Sequence, residues 1–169
     1  MSQPRRFLSV LTVFMFAFLT NLGNAYGAEK LELGWVEKAQ LLPENLVLDA
    51  VLDTGANSTS IDATNITRFE RGGRPWIRFS VSDRKGNTAT FERPVVRAVR
   101  IKKSDIDATT RPVVMLAICL AGRFREEAVN LTDRSNLRYP LLIGRAAMAG
   151  RFLVNPSRKF TSVPNCSAR

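Results

Sequence analysis

The stretch VLDTGANSTS, residues Val51–Ser60, places an aspartate, Asp53, at the end of an apolar run and follows it with small and hydroxylated residues. A carboxylate at the end of a buried strand is costly unless backbone donors or an opposite charge stabilise it. Gly55 permits a turn that other residues resist, and such a turn can direct N–H groups at the carboxylate. The alternative is an ordinary Asx turn, in which the aspartate only caps its own loop.

Strand-like segments flank this stretch on both sides. In Pro75–Val81 the residues Phe79 and Val81 fall on one face and Arg78 and Ser80 on the other, which is the period of a half-buried strand. Turn-forming residues recur about every 8–15 residues, and this spacing favours a compact sheet or barrel. Strands are predicted at Asn45–Asp53, Pro75–Val81, Thr88–Lys102, Pro112–Gly122, Phe124–Leu131, Tyr139–Gly144 and Arg151–Pro156.

Helix signals are almost absent from the sequence. No stretch shows a long 3.6-residue period, and the one short helix expected, Arg145–Ala149, lies between Gly144 and Gly150. The turn cluster Asp83–Asn87 predicts a hairpin, and residues 28–40 are interpreted as an ordinary N-terminal segment. The expected fold is therefore all-β, with one short helix.

The first 27 residues have the layout of a secretory signal. Two arginines precede the apolar run Phe7–Leu19, and Ala25 and Gly27 supply the small residues of a cleavage site. The run is shorter than the roughly 20 residues of a membrane-spanning helix, and an uncleaved anchor is the alternative. We expect a signal peptide at 1–27, a single domain at 28–169, and a periplasmic or secreted protein that contacts a membrane only if the segment stays uncleaved.

The chain is basic. Its formal net charge is +10, and removal of the expected signal peptide leaves +8. Such a surface favours an anionic partner, although the charge could also serve solubility alone. The basic residues between positions 68 and 103 are scattered among strand-like segments, which argues against a disordered nucleic-acid-binding arm. No nucleic-acid partner is therefore predicted.

The chain contains no histidine. This excludes a histidine-ligated zinc site, a Ser-His or Cys-His nucleophile pair and an imidazole base. The sequence leaves two alternatives for its cysteines: a disulfide between Cys119 and Cys166 in an oxidising compartment, or a buried free thiol at Cys119. The phosphate-loop pattern GxxxxGK[ST] is also missing. We expect no metal and no cofactor.

Two segments together resemble the retropepsin-type aspartic peptidases: the DTGA of Asp53–Ala56 and the apolar run that ends in Gly144 and Arg145. Over roughly residues 34–156 the chain resembles one bacterial family, the RimB-like retropepsin-type endopeptidases, often labelled "ATP-dependent zinc protease". Neither word of that label has support in these residues. The segments that carry the resemblance are DTGANSTSIDA (Asp53–Ala63), RFERGGRPWIRFSV (Arg68–Val81), ERPVVRAVRIKKS (Glu92–Ser104), RPVVMLAICLAG (Arg111–Gly122) and LTDRSNLRYPLLIGRAAM (Leu131–Met148).

The resemblance implies a small closed acid-protease barrel and an aspartic peptidase activity. It assigns the catalytic roles to Asp53, Thr54 and Gly55. For the polar residues among the expected substrate-binding set, a plain polar turn is the alternative, and Arg145 could clamp either the catalytic loop or a substrate carboxylate. The expected substrate-binding residues are Ala56, Asn57, Ser58, Thr59, Ser60 and Arg145.

Aspartic hydrolysis uses two carboxylates that share a proton, whereas this chain has a single DTGA. We expect a homodimer that pairs Asp53 of two copies, or else a monomer in which Asp62 or Asp133 is the second group. The resemblance also links relatives with glutamate-ligase systems and glutamate-rich tails. Together with the basic charge, it predicts hydrolysis of peptide or isopeptide bonds in a peptide or acidic polypeptide.

The chain departs from the usual pattern of the family it resembles. Val51 stands where a basic residue is usual, Asp62 where histidine is usual, and Asn155 where aspartate is usual, while Ser58–Ser60 differs mildly. These changes keep open a non-catalytic binding module of the same fold, with a basic groove for an anionic ligand. The intact Asp-Thr-Gly favours the enzyme, because a binding module does not need so costly a loop.

Overall fold

The computed structural model describes residues 29–102 and 108–166. The expected signal peptide at 1–27 lies outside these residues. Within them, no helix is long and apolar enough to span a membrane.

Most of the described chain is β-strand, with a single four-residue helix among the described residues. The all-β class with one short helix is confirmed. The elements in chain order are β1 (Leu31–Leu42), β2 (Leu46–Asp53), β3 (Thr59–Asp62), β4 (Thr64–Arg71), β5 (Arg74–Ser82), β6 (Thr88–Pro94), β7 (Arg97–Lys102), β8 (Ala108–Leu120), β9 (Arg123–Thr132), β10 (Leu141–Gly144), α1 (Arg145–Met148) and β11 (Phe152–Lys159).

Six strands form a closed barrel, as expected. The larger sheet has the order β11-β1-β2-β10-β3-β9-β8-β7, and an additional antiparallel pairing joins β1 to β8. The ring therefore runs β1, β2, β10, β3, β9, β8 and back to β1, and closure leaves no free edge within it. Parallel pairing of β2 with β10 places Asp53 beside Gly144, so the two segments that suggest a peptidase end at the same point.

A three-stranded sheet, β4-β5-β6, packs against the barrel. The alternation in β5 directs Ile77, Phe79 and Val81 to one face, and all three are fully buried. Phe79 stacks on Phe91 of β6 with ring centroids 5.3 Å apart, and this group is continuous with the barrel core. By contrast, β4 is almost entirely exposed and lies at the edge of its sheet.

The structure differs from the sequence predictions in four places. Residues 28–40, interpreted from the sequence as an ordinary N-terminal segment, contain most of β1; the buried carboxylate of Glu37 interrupts the apolar pattern of this strand. The segment Thr88–Lys102 is two strands, β6 and β7, which separate at residues 95–96 and join different sheets. Nothing in the sequence predicts β3, which is very short, or β4, which is polar and exposed. The helix α1 is one residue shorter than expected.

Glu37 fastens the C-terminal segment to the barrel. Its Oε1 accepts hydrogen bonds from the backbone N–H groups of Gly34 (2.7 Å) and Thr161 (3.0 Å) and from the Thr161 hydroxyl (2.6 Å). Its Oε2 accepts from the N–H (3.0 Å) and hydroxyl (2.9 Å) of Ser162. Burial alone raises the pKa of Glu37, but these donors favour the ionised form and hold its pKa below the usual value.

Replacing Glu37 with glutamine is expected to lower the free energy of unfolding by about 2–4 kcal/mol at pH 7, because an amide N–H₂ then faces backbone donors. The folded-state pKa of Glu37 is depressed, so its stabilisation is complete above the unfolded-state pKa and is lost as pH falls through the folded-state pKa. The difference in stability between the two proteins should therefore shrink as pH falls below the unfolded-state pKa and through the depressed folded-state pKa of Glu37. Denaturant unfolding at pH 7 and pH 3 measures this difference, and a gap that does not change with pH would contradict it.

A disulfide joins Cys119 of β8 to Cys166 of the C-terminal segment, with the Cα atoms 5.9 Å apart. Of the two alternatives that the sequence leaves open, the structure contains the bridge. It spans 47 positions of sequence, so in the unfolded chain it restricts a long loop.

Cys166→Ala is expected to lower the free energy of unfolding by about 4 kcal/mol, the loop-closure value for a bridge of this span. Because the small thiol left at buried Cys119 is tolerated in a core, the effect should come from the lost bridge. Guanidinium unfolding without reductant measures it. The parent protein with reductant is the control and should match the variant; coincident midpoints for parent and variant without reductant would show that the bridge adds no stability.

Candidate active site

Asp53 is the last residue of β2, and the turn that follows it supplies donors to its side chain. The carboxylate Oδ1 accepts hydrogen bonds from the backbone N–H groups of Gly55 (2.8 Å) and Ala56 (3.1 Å). A Cβ at position 55 would lie 3.1 Å from Oδ1, so the absence of a side chain there allows the close approach. Asp53 is partly exposed, and both of these hydrogen bonds are made to Oδ1.

The loop after Asp53 packs directly on the end of β10. A Cβ at Gly144 would lie 2.6 Å from the carbonyl carbon and 2.7 Å from the carbonyl oxygen of Ser58, distances that no side chain tolerates. The first residues of α1 continue the contact: the N–H of Arg145 donates to Ala56 O (2.8 Å) and that of Ala146 to Asn57 O (3.1 Å). The apolar-Gly segment therefore forms the base of the Asp53 loop.

The Arg145 side chain clamps the Asp53 loop of its own chain. Its Nη1 donates to the carbonyl oxygens of Thr54 and Gly55, each at 2.8 Å. Of the two roles open to this residue, the geometry therefore supports the loop clamp over contact with a substrate carboxylate. The fixed, planar guanidinium suits such a task, because it holds two acceptors in one orientation.

Three of the polar residues expected to contact substrate instead support the loop. The Asn130 amide donates to Ser58 Oγ (2.9 Å) and to Thr59 O (2.9 Å), while Thr59 Oγ1 accepts from the N–H of Gly144 (3.3 Å). Ser60 Oγ accepts from the guanidinium of Arg134 (3.1 Å).

Sequence reasoning missed the roles of Asn130 and Arg134, and nothing in the local pattern separates Arg134 from surface residues. Both are buried, with 3% and 8% of their surface exposed. A polar residue amid the apolar end of β9 was the available signal for Asn130.

Asp62, one candidate for a second catalytic carboxylate, is engaged in a structural network. Its Oδ1 accepts from the backbone N–H of Arg134 (2.6 Å), and its Oδ2 pairs with the guanidinium of Arg84 (2.7 Å). The other candidate, Asp133, accepts a hydrogen bond from the N–H of Ser135 at 2.8 Å. Asp62 is therefore poorly placed to share a proton with Asp53 inside one chain.

The hairpin turn at Asp83–Asn87 is anchored, whereas the turn at Gly72 and Gly73 is open. Arg84 donates to the carbonyl oxygens of Leu137 and of Arg134 (2.7 Å), besides its bond to Asp62. A Cβ at Gly72 or Gly73 would meet no atom within 4 Å. Of these two turns, the glycine turn is the better candidate for a flap over a bound chain.

The remaining departures from the family pattern lie in structural contacts. Asn155 donates to Glu32 Oε1 (2.8 Å) and accepts from the N–H (2.9 Å) and hydroxyl (2.6 Å) of Ser157. Val51 is opposite Val36 in the antiparallel pair of β2 and β1. The amide at 155 thus fastens β11 to β1.

An open groove runs between β4 on one side and the start of β8 with the loop 133–137 on the other. Its basic residues are Arg68, Arg111 and Arg134, and its one acidic lining residue is Asp133. The Nε of Arg111 is buried and has no hydrogen-bond partner. The groove therefore presents cationic groups that protein acceptors satisfy only in part.

Arg134 links the groove electrostatically to the Asp53 loop. Burial lowers the pKa of Arg134; the attraction of Asp62 opposes this, repulsion from Arg84 and Arg111 adds to it, and the attraction of Asp53 opposes it again. Through Arg134, whose Nη1 also donates to Ser60 Oγ (3.1 Å), the groove contacts the segment that follows Asp53. In the part of the chain that the structure describes, no three His, Cys, Asp or Glu side chains converge in a way that could hold a metal ion.

Comparisons with known proteins agree with this architecture. The model of the RimB-like family, described as retropepsin-like aspartic endopeptidase RimB, matches residues 32–165. A crystal structure of a Legionella pneumophila protein of unknown function (DUF785) superposes with a TM-score of 0.69 and 42% identity, over 79% of this chain and 98% of that one.

Curated relatives carry a different kind of name. A probable alpha-L-glutamate ligase of Shewanella pealeana is 35% identical over 116 residues, which are 67% of this chain and 25% of the relative. One of Desulfotalea psychrophila is 31% identical over 113 residues, 65% of this chain and 24% of the relative. The chain thus spans about a quarter of the length of these relatives. Since the family model covers nearly all of the described residues, the chain belongs to the RimB-like family of retropepsin-like aspartic endopeptidases.

Proposed function

We propose that this protein is an exported aspartic peptidase that hydrolyses peptide or isopeptide bonds in acidic, glutamate-rich polypeptides. The observation that carries the proposal is the Asp53 loop. One carboxylate oxygen is fixed by two backbone N–H groups, and the loop itself is fixed by the guanidinium of Arg145. Such preorganisation is what general acid–base chemistry requires, because a loosely held carboxylate does not stay aligned with a water and a carbonyl.

The second carboxylate of the pair would come from Asp53 of a second copy. Asp62 of the same chain has both oxygens engaged with Arg84 and Arg134. A two-fold homodimer places identical loops face to face, and it is the commonest symmetric assembly. In the pair, the ionised carboxylate takes a proton from water while the protonated one polarises the scissile carbonyl.

The acidic substrate class is supported by the charge of the groove. Arg68, Arg111 and Arg134 line it, and Arg134 donates to Ser60 Oγ in the segment that follows Asp53. Guanidinium groups recognise carboxylates through charge-assisted hydrogen bonds. The relatives named as probable alpha-L-glutamate ligases support a substrate that contains glutamate.

Export is supported by two features. Residues 1–27 have the pattern of a secretory signal, and the Cys119–Cys166 disulfide suits an oxidising compartment.

The test is cleavage by the purified protein and by Asp53→Asn, each with polyglutamate and with a mixed peptide library, read by mass spectrometry from pH 4 to pH 8. Cleavage of acidic chains by the parent alone supports the proposal. Equal cleavage by both proteins would remove Asp53 from the mechanism. Cleavage of neutral peptides in preference to acidic ones would retain the peptidase and reject the substrate class.

A second candidate function is a non-catalytic module that binds an anionic polymer. It is favoured by the relatives: the matching region is only a quarter of proteins named as ligases, which suits an accessory binding role. Binding of polyglutamate by parent and Asp53→Asn alike, with cleavage by neither, would favour this module.

A further inference from the structure

We propose that the groove has two adjoining compartments and binds an extended peptide in which an apolar side chain stands two positions away from an acidic one. The inference rests on the proposed function. It adds the requirement that the peptide carry an apolar side chain as well as acidic ones. The first compartment, here called the basic compartment, is lined by Arg68, Arg111 and Arg134. The second, the apolar compartment, is lined by Pro75, Trp76, Val95, Ala98 and Pro112.

The two compartments form one continuous groove. Arg68, Thr110 and Pro112 line both. The two compartments follow one another along β4. Ile66 lines the basic compartment, Arg68 lines both compartments, and Glu70 lines the apolar compartment. Residues two apart on a strand are about 7 Å apart, so each step from Ile66 to Arg68 and from Arg68 to Glu70 matches the spacing of alternate side chains in an extended peptide.

The free edge of β4 offers a template for such a peptide. β4 pairs with β5 on one side only and is exposed along nearly its whole length. A peptide that pairs with an exposed strand edge gains main-chain hydrogen bonds, while pockets for alternate side chains give specificity. The groove runs along this edge, so both kinds of contact are available to the same ligand.

The compartments differ in the chemistry that they accept. In the basic compartment, the positive charges of Arg68, Arg111 and Arg134 favour a carboxylate, and Asp133 is the one acid among the lining residues. In the apolar compartment, most lining residues are apolar, and the negative charge of Glu70 offsets the positive charge of Arg68, so the compartment has little net attraction for a second carboxylate. A chain of glutamates alone therefore fills only the first compartment favourably.

The test uses Asp53→Asn, so that peptides stay intact, and fluorescence anisotropy with three labelled peptides. The first is hexaglutamate, and the others replace its fourth residue with leucine or with glutamine. The leucine peptide is expected to bind about tenfold more tightly than the glutamine peptide, since part of a leucine side chain leaves water. Ala98→Glu should remove this preference without unfolding the protein, because position 98 is exposed on β7.

Val96→Glu is the matched control. Val96 is 49% exposed, lies two residues away and does not line the groove, so the variant adds the same charge and should keep the preference for leucine. Equal binding of the leucine and glutamine peptides overturns the inference, as does loss of the preference in Val96→Glu to the same extent as in Ala98→Glu. If the parent still cleaves polyglutamate, only the two-compartment inference fails; if no acidic peptide binds or is cleaved, the proposed function fails with it.

Discussion

Asp53→Asn is expected to reduce cleavage by about a thousandfold or more while leaving the fold intact. The amide oxygen of asparagine can still accept the N–H bonds of Gly55 and Ala56, at present 2.8 and 3.1 Å from the carboxylate. The loop should therefore keep its shape, and the loss should fall on proton transfer. Removal of a general acid–base group typically costs a factor of 10² to 10⁴, and in a homodimer one substitution removes both members of the pair.

The measurement is single-turnover cleavage of an acidic peptide by parent and variant, with denaturant unfolding of each. Ser135→Ala is a suitable control, because Ser135 contributes only its backbone N–H to Asp133 in the loop. Mixed dimers sharpen the test: if Asp53 of each copy is needed, a heterodimer of parent and variant should be as inactive as the variant. Half the parent activity in the heterodimer would show that each copy works alone.

Gly144→Ala is expected to destabilise the protein by about 3 kcal/mol or more and to abolish cleavage. The added Cβ would lie 2.6 and 2.7 Å from the Ser58 carbonyl atoms and 2.9 Å from the Asn57 carbonyl carbon. These are backbone atoms, so no side chain can rotate away, and the loop that carries Asp53 must shift. Overpacking of a tight site costs about 1–3 kcal/mol and more where the backbone has to move.

Gly72→Ala is the matched control for that substitution. Gly72 has a φ of +59° and open space around its Cβ, so alanine there should cost only about 1 kcal/mol of backbone strain. Urea unfolding and cleavage rates measured on both variants separate the two effects. Equal stability of Gly144→Ala and Gly72→Ala would mean that the loop does not pack on β10 as tightly as described.

Asp62 shows why the sequence could identify candidate catalytic carboxylates but could not tell which of them are engaged in structural contacts. Asp53, Asp62 and Asp133 all follow or end apolar segments, so each is a reasonable candidate from local pattern. The tertiary fold brings Arg84, distant in sequence, onto Asp62 and Arg134. No local pattern encodes that contact, because it depends on how the β5–β6 hairpin packs against the loop after β9.

The groove depends on tertiary structure for the same reason. Its lining comes from β4, from the start of β8 and from the loop 133–137, and the sequence does not predict β4 at all. The arginines are scattered along the sequence, so the sequence by itself shows only their net charge and not which of them lie together. Which arginines converge is decided by strand order.

The sequence alone determined the all-β class, the closed barrel through its resemblance to a family, and the placement of Asp53 at a strand end before a glycine turn. These follow from local alternation, turn residues and motif order, all of which act over a few residues. Only the tertiary structure decided that β1 begins the barrel around the buried Glu37, that Cys119 pairs with Cys166, and that Arg145 clamps the Asp53 loop. Each of these joins residues far apart in the chain, and their contacts are selected by the closure of the barrel rather than by any neighbour in sequence.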